Sequence, residues 1–144
     1  MRAAENPEGL SGVVSVTLGA SVELSSHSLT NGVLDWAMAQ AEGVAVYFSS
    51  NGSCWLDDKP NQRYSPSSRF RQSGQLLDKY DVQIITGTTG GRVAYLRDPE
   101  LYACGPDTLV AMCRLIVVFK LGEKVRVPAK LAEIFQRESE EANQ

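Results

Sequence analysis

Residues 105–131, GPDTLVAMCRLIVVFKLGEKVRVPAKL, constrain what this chain can fold into more than any other stretch. Asp107 stands where a helix wants an N-cap. Its carboxylate can accept a bond from a free backbone N–H, and its charge suits the positive end of the helix dipole. Leu109, Val110, Met112, Cys113, Ile116, Val117 and Phe119 then leave almost no polar side to a helix running from about Thr108 to Leu121. A helix apolar all round has to be buried, here against a sheet. Lys120 in the last turn and Gly122 after it are stop signals. Pro128 suits the first turn of a further short helix over residues 129–137.

The rest of the chain must cover that helix. Its 144 residues suffice for one domain with a real core. Residues 1–21 read as a polar lead-in and a first strand, residues 22–137 as a single α+β domain, and residues 138–144 as an acidic tail that frays. Within residues 12–24 (GVVSVTLGASVEL) the alternation of apolar and small polar residues predicts a strand or hairpin. Residues 30–42 (TNGVLDWAMAQAE) predict a helix, with Thr30 or Asn31 as the cap and Gly43 as the stop. Val33, Leu34, Ala37, Met38 and Ala41 form its apolar stripe, with Trp36 beside it. VAVYF (44–48) predicts a strand, and residues 54–56 a short return. Residues 57–68 (DDKPNQRYSPSS) read as a polar surface loop. VQIIT (82–86) and RVAYL (92–96) predict two strands joined by a GTTGG hairpin loop. The expected architecture is a small antiparallel sheet packed against the long C-terminal helix, with one N-terminal helix and a short final helix.

Charge is unevenly spread. The chain carries a net −3, which argues against a general nucleic-acid binder. Between Lys59 and Arg97, however, seven cations (Lys59, Arg63, Arg69, Arg71, Lys79, Arg92 and Arg97) face only Asp78 and Asp81. That segment carries +5 and the remainder −8. Interleaved with its arginines are flat rings. Guanidinium forks pair with phosphate, and aromatic rings stack on bases. Tyr64, Arg69, Phe70, Arg71, Arg92 and Tyr95, with Trp36 from the first helix, are therefore the candidate ligand-binding residues. They are expected to converge on a small anionic, nucleotide-like molecule. The bland alternative is rings in the core and arginines on a solvated rim.

Other chemistries find less support. ITGTTGGR lacks the Gly-Lys-Ser/Thr of a phosphate loop and runs into a strand, so an ordinary glycine hairpin explains it. Its other reading is a flap whose N–H groups and Arg92 meet an anion. Zinc needs four clustered ligands, whereas Cys54, Cys104, Cys113 and His27 are scattered. Cys113 reads as a buried thiol, and a reducing cytosol disfavours a Cys54–Cys104 disulfide. Asp57 and Asp58 read as solvated loop residues rather than a cation site. Asp35 and Glu42 lie two helical turns apart, an unconvincing hydrolase pair, and His27 reads as a surface or capping residue. No metal site, cofactor or catalytic residue is predicted. No apolar run approaches a membrane span and the N-terminus has no apolar leader core, so a cytoplasmic location without membrane partner is expected.

Three blocks resemble the NinX-like family of tailed-phage proteins. LDWAMAQAEG (34–43) is similar to that family's N-terminal helix motif, YSPSSRFRQSG (64–74) to its central Tyr-Ser-Pro-Ser motif, and residues 105–128 to its C-terminal block. The match spans roughly residues 22–132 with the order of blocks kept. Arg69 and Phe70 stand where the family usually has Asp-Trp, and Ser73 and Gly74 where it has Gly-Gly. The stretch around 85–96 is longer than usual. The resemblance implies phage origin and action in the cytoplasm of an infected bacterium, but no particular activity. Joined to the basic, ring-bearing segment, it leads to the expectation of a non-catalytic anti-defence protein that sequesters a small nucleotide-derived signal. Two alternatives stay open: an inhibitor that docks on a host defence protein, such as a nuclease or CRISPR effector, and an enzyme acting on a nucleotide. The apolar girth of the long helix leaves homo-oligomerisation open as well.

Overall fold

The computed structural model of the chain describes residues 21–88 and 90–142. In chain order the elements are β1 (Ser21–Ser25), α1 (Asn31–Glu42), β2 (Val46–Phe48), β3 (Cys54–Leu56), α2 (Phe70–Ser73), α3 (Gln75–Lys79), β4 (Gln83–Thr86), β5 (Arg92–Arg97), β6 (Glu100–Gly105), α4 (Thr108–Leu121), β7 (Lys124–Pro128) and α5 (Ala129–Ala142). A single 3₁₀ turn, Ser26–Ser28, follows β1. The fold is α+β, with its strands in small antiparallel groups: β1 with β7, β2 with β3, and a sheet in the order β4-β5-β6.

α4 is the centre of the molecule. Asp107 caps it by accepting from the Val110 N–H at 2.9 Å, and Gly122 ends it at φ 101°. Met112, Cys113, Leu115, Ile116 and Val117 are all buried. Full burial of an aliphatic side chain of this size is worth about 1.5–3 kcal/mol, so this one helix supplies a large part of the driving force. β5 and β6 pack on one side of α4 and α1 on another, with the turn at Ser26–Ser28 filling a third. Most of its apolar girth is thus covered within the chain, while Phe119 and Leu121 in its last turn are exposed. No described helix is long and apolar enough to cross a membrane.

α1 spans the range that its stripe predicts, and Gly43 closes it in the left-handed region at φ 70°. Thr30 takes the N-cap position, but its side chain makes no capping bond. Gly32 is required by close approach: a Cβ there would lie 1.8 Å from the Gly52 carbonyl oxygen.

Several expectations need correction. Among the described residues there is no single small sheet behind α4 but three separate groups of strands. The final helix is not short. α5 has 14 residues, as many as α4, and continues through most of the segment expected to fray. Residues 124–128, where the sequence predicts no strand and places Pro128 in the first turn of the next helix, form β7. Val125 and Val127 are buried and Lys124 and Arg126 exposed, a period of two that is satisfied once β1 lies alongside. β6 and the one-turn helices α2 and α3 were also unforeseen. Most of the strand or hairpin expected over residues 12–24 lies outside the described residues, apart from the part that falls in β1.

Candidate functional site

The end of β3 and the chain that folds back on it build a cationic cleft. The Leu56 N–H donates to the Gln62 carbonyl at 3.0 Å, and the Tyr64 N–H to the Cys54 carbonyl at 2.9 Å. These two bonds bracket Trp55 and Arg63, which face each other as an antiparallel bridge. A pair bracketed in this way is of the non-hydrogen-bonded kind, in which side chains stand closest, with Cα atoms about 4.5 Å apart. Indole and guanidinium therefore rise side by side. The intervening loop folds over them, held by the Tyr47 hydroxyl donating to the Pro60 carbonyl at 3.2 Å.

A second clamp sets Arg69 on the rim. Gln72, on α2, accepts from the Ser65 N–H at 2.6 Å through Oε1 and donates to the Arg63 carbonyl at 2.7 Å through Nε2. The Arg69 N–H closes a turn on the Ser65 carbonyl at 2.9 Å. The resulting depression, about 670 Å³ and open to solvent, is lined by Trp55, Lys59, Pro60, Asn61, Gln62, Arg63 and Arg69. No carboxylate is among these. The ion pairs among the described residues, His27–Glu123 at 2.9 Å and Lys79–Glu42 at 2.7 Å, lie elsewhere. Three cations thus surround one aromatic face, none of them in an ion pair among the described residues, although the Asp35 carboxylate lies within reach of the Arg63 charge.

Beneath the cleft the Tyr-Ser-Pro-Ser segment departs from the surface loop that its polarity suggested: Ser65, Pro66 and Ser67 are buried. Burial is tolerated because other side chains satisfy the backbone. Besides the Gln72 bond, the Ser67 N–H donates to the Asp35 carboxylate at 2.9 Å. Asp35 is only 4% exposed. Burial pushes its pKa up to about 6, against the opposing pull of the Ser67 bonds and the Arg63 charge. Among its neighbours, burial also pushes the Cys54 thiol up to about 12 and raises the Tyr64 phenol. The Ser65 hydroxyl is buried with no hydrogen-bond partner.

The expectation that the candidate residues share one pocket is not met. Arg69 alone of them lines the Trp55 cleft. Tyr64 is half-buried and, like Trp36, packs on the core. Phe70 is 64% exposed, its ring lying over Gly74, where a Cβ would come within 2.5 Å of it. Arg71 is exposed and lines neither this cleft nor the groove around Arg92. Arg92 and Tyr95 are three residues apart on β5, so the pleat sends them to opposite faces. Tyr95 stacks at 5.9 Å on Tyr102, its partner on β6, while Arg92 lines a separate groove with Arg114 and the glycines of the β4–β5 loop. Asp35 and Glu42 point to different partners. Asp35 faces inward to Ser67, whereas Glu42 accepts from Lys79 and from the Tyr80 hydroxyl.

Trp55, Lys59 and Arg63 were missed as site residues. The available signal was the symmetry of CWL and QRY around a turn rich in Asp, Pro and Asn, which marks a hairpin and sets the register that pairs Trp55 with Arg63. All three cysteines are free thiols: Cys54 and Cys113 are buried and Cys104 is exposed. Comparison with known proteins finds no matching family model and no matching curated relative, so the NinX-like resemblance rests on the three sequence blocks alone.

Proposed function

We propose that this protein binds a small anionic ligand bearing a flat ring, a nucleotide-derived molecule, in the Trp55 cleft and holds it without transforming it. One observation carries the reading. The bracketed Trp55–Arg63 pair, with Lys59 and Arg69 on the same depression, offers a stacking face beside three cations in a lining that holds no carboxylate. Ring stacking is worth about 1–3 kcal/mol per base, and charge-assisted hydrogen bonds about 1.5–3 kcal/mol each. Set in the infected bacterium that the phage resemblance implies, such a protein acts by sequestering a defence signal.

The test is isothermal titration with AMP, cyclic mononucleotides and cyclic ADP-ribose isomers. At least one should bind, and Arg63→Gln and Arg69→Gln should each weaken it by about tenfold or more. Arg71→Ala, outside the cleft, should bind like wild type. No binding across the panel, or equal affinity in all variants, refutes the proposal.

The docking alternative draws on a different surface. On the outer face of the three-stranded sheet, Ile85 and Tyr102 are 51% and 52% exposed. Exposed apolar and aromatic side chains of this kind suit a protein partner. Capture from infected-cell lysate separates the readings: a stoichiometric protein partner favours docking, and a small molecule released on denaturation favours sequestration. Product formation from a bound nucleotide would instead favour the enzyme.

A further inference from the structure

One half-buried cation plays no part in the Trp55 cleft. Arg114 leaves α4, donating through Nε to the Leu29 carbonyl at 2.8 Å and through Nη1 to the Cys104 carbonyl at 2.8 Å. Carbonyls satisfy its hydrogen bonds but do not cancel its charge, and no carboxylate among the described residues pairs with it. Burial lowers its pKa accordingly. Asp107 is near enough to oppose that lowering but forms no ion pair with Arg114 or Arg92, so part of the desolvation cost is left for a bound anion to offset.

A second guanidinium lines the same groove. Arg92 opens β5 with its Nη1 turned back on the Gly90 and Gly91 carbonyls at 3.1 and 3.3 Å. It too lacks an acidic partner among the described residues. The groove has a volume of about 600 Å³ and is walled by Gly87, Gly90 and Gly91, with Cys104 on its rim. It shares no lining residue with the Trp55 cleft. Small glycine walls let an oxyanion come close to both arginines, and a guanidinium offers up to five N–H donors, more than the carbonyl bonds here engage.

We propose that Arg92 and Arg114 form a second anion site, independent of the Trp55 cleft, that takes a phosphate or carboxylate group of a small ligand.

The exposed Cys104 thiol provides a built-in reporter. Anionic iodoacetate and neutral iodoacetamide alkylate the same thiolate, so the ratio of their rates reads the local preference for an anion and cancels the thiol's own reactivity. Measured on the intact chain by peptide mass spectrometry, the Cys104 ratio should exceed that of the urea-unfolded chain by roughly threefold or more. The chain's net charge is −3, so its overall field works against such an excess. Arg92→Gln should bring the ratio down to the unfolded value, while Arg92→Lys, which keeps the charge, should retain most of it. Inorganic phosphate or succinate, at ionic strength matched with potassium chloride, should suppress the excess, and whichever competes better names the preferred group.

The site is refuted if wild type and Arg92→Gln give the same ratio, if Arg92→Lys falls as far as Gln, or if neither anion competes beyond chloride. Arg69→Gln should leave the ratio unchanged. A fall equal to that of Arg92→Gln would mean a diffuse field and would also refute the site. Failure here leaves the Trp55 cleft untouched, because that cleft is read by titration.

Discussion

Asp35→Asn should change how stability responds to pH, and the sign is fixed by burial. The unfolded carboxyl titrates near its ordinary 3.8, and the folded one at about 6. Between those values the folded chain holds a proton that the unfolded chain has released, so stability falls as pH rises through the window. Below both values the carboxyl is neutral in both states and costs nothing. Above both, the native state carries the full penalty of a buried charge, roughly 3 kcal/mol for a gap of this size. That is a large share of the ~5–15 kcal/mol typical of a domain. Asparagine removes the charge while its amide oxygen can still accept from the Ser67 N–H. Glu42 pulls the other way. Burial alone would raise its pKa, but bonds from Lys79 and Tyr80 overcome that and hold it low, so its contribution is lost in acid. It is present in both proteins and cancels in the difference. Urea unfolding followed by tryptophan fluorescence between about pH 4 and about pH 7 should show the variant gaining roughly 2.5 kcal/mol on wild type as pH rises, the rest of the change lying outside that range. A difference that is flat with pH, or that runs the other way, would show that Asp35 is not the buried, proton-holding group described here.

Two further outcomes follow from the packing. Gly32→Ala would drive a methyl group into the Gly52 carbonyl and should destabilise by about 3 kcal/mol or more, seen as a large fall in melting temperature or a failure to fold. Gln72→Ala strips the partner from the Ser65 N–H beneath the cleft and releases the Arg63 carbonyl, so chemical denaturation should show a loss of about 1–3 kcal/mol, with weaker ligand binding in the same protein. Unchanged stability in that variant would remove the clamp from the account of the site.

How much of this was legible in the sequence depended on whether an element is specified locally. α4 could be read because its cap, apolar girth and glycine stop are all encoded within it, and the Asp107–Val110 bond follows from residue type and position. α1 was legible for the same reasons, although Thr30 does not make the side-chain bond its identity allows. β7 was not, because five residues beginning with lysine and ending with proline become a strand only when β1, a hundred residues earlier, supplies the hydrogen bonds. The candidate site fails along the same line. A charge excess can be counted along the chain, but convergence depends on register and pleat. Arg92 and Tyr95 diverge because they are three residues apart on a strand, and Trp55 and Arg63 meet because a turn returns the chain at that offset. Asp35 looked like a poor catalytic acid on a helix surface. Its real partner, the Ser67 N–H, lies 32 residues away in sequence.

The pairing of Ser21 with Pro128 has a consequence for biosynthesis. An emerging polypeptide can form α1 and the β4-β5-β6 sheet while still tethered to the ribosome, but β1 lacks the strand partner it has among the described residues until β7 emerges. The Ser26 hydroxyl likewise waits for the Gly122 carbonyl, 96 residues downstream. Closure of this clasp is a late, long-range event and should set the pace of maturation. A nascent chain stalled before residue 124 would expose a naked strand edge, and a chaperone should find it there.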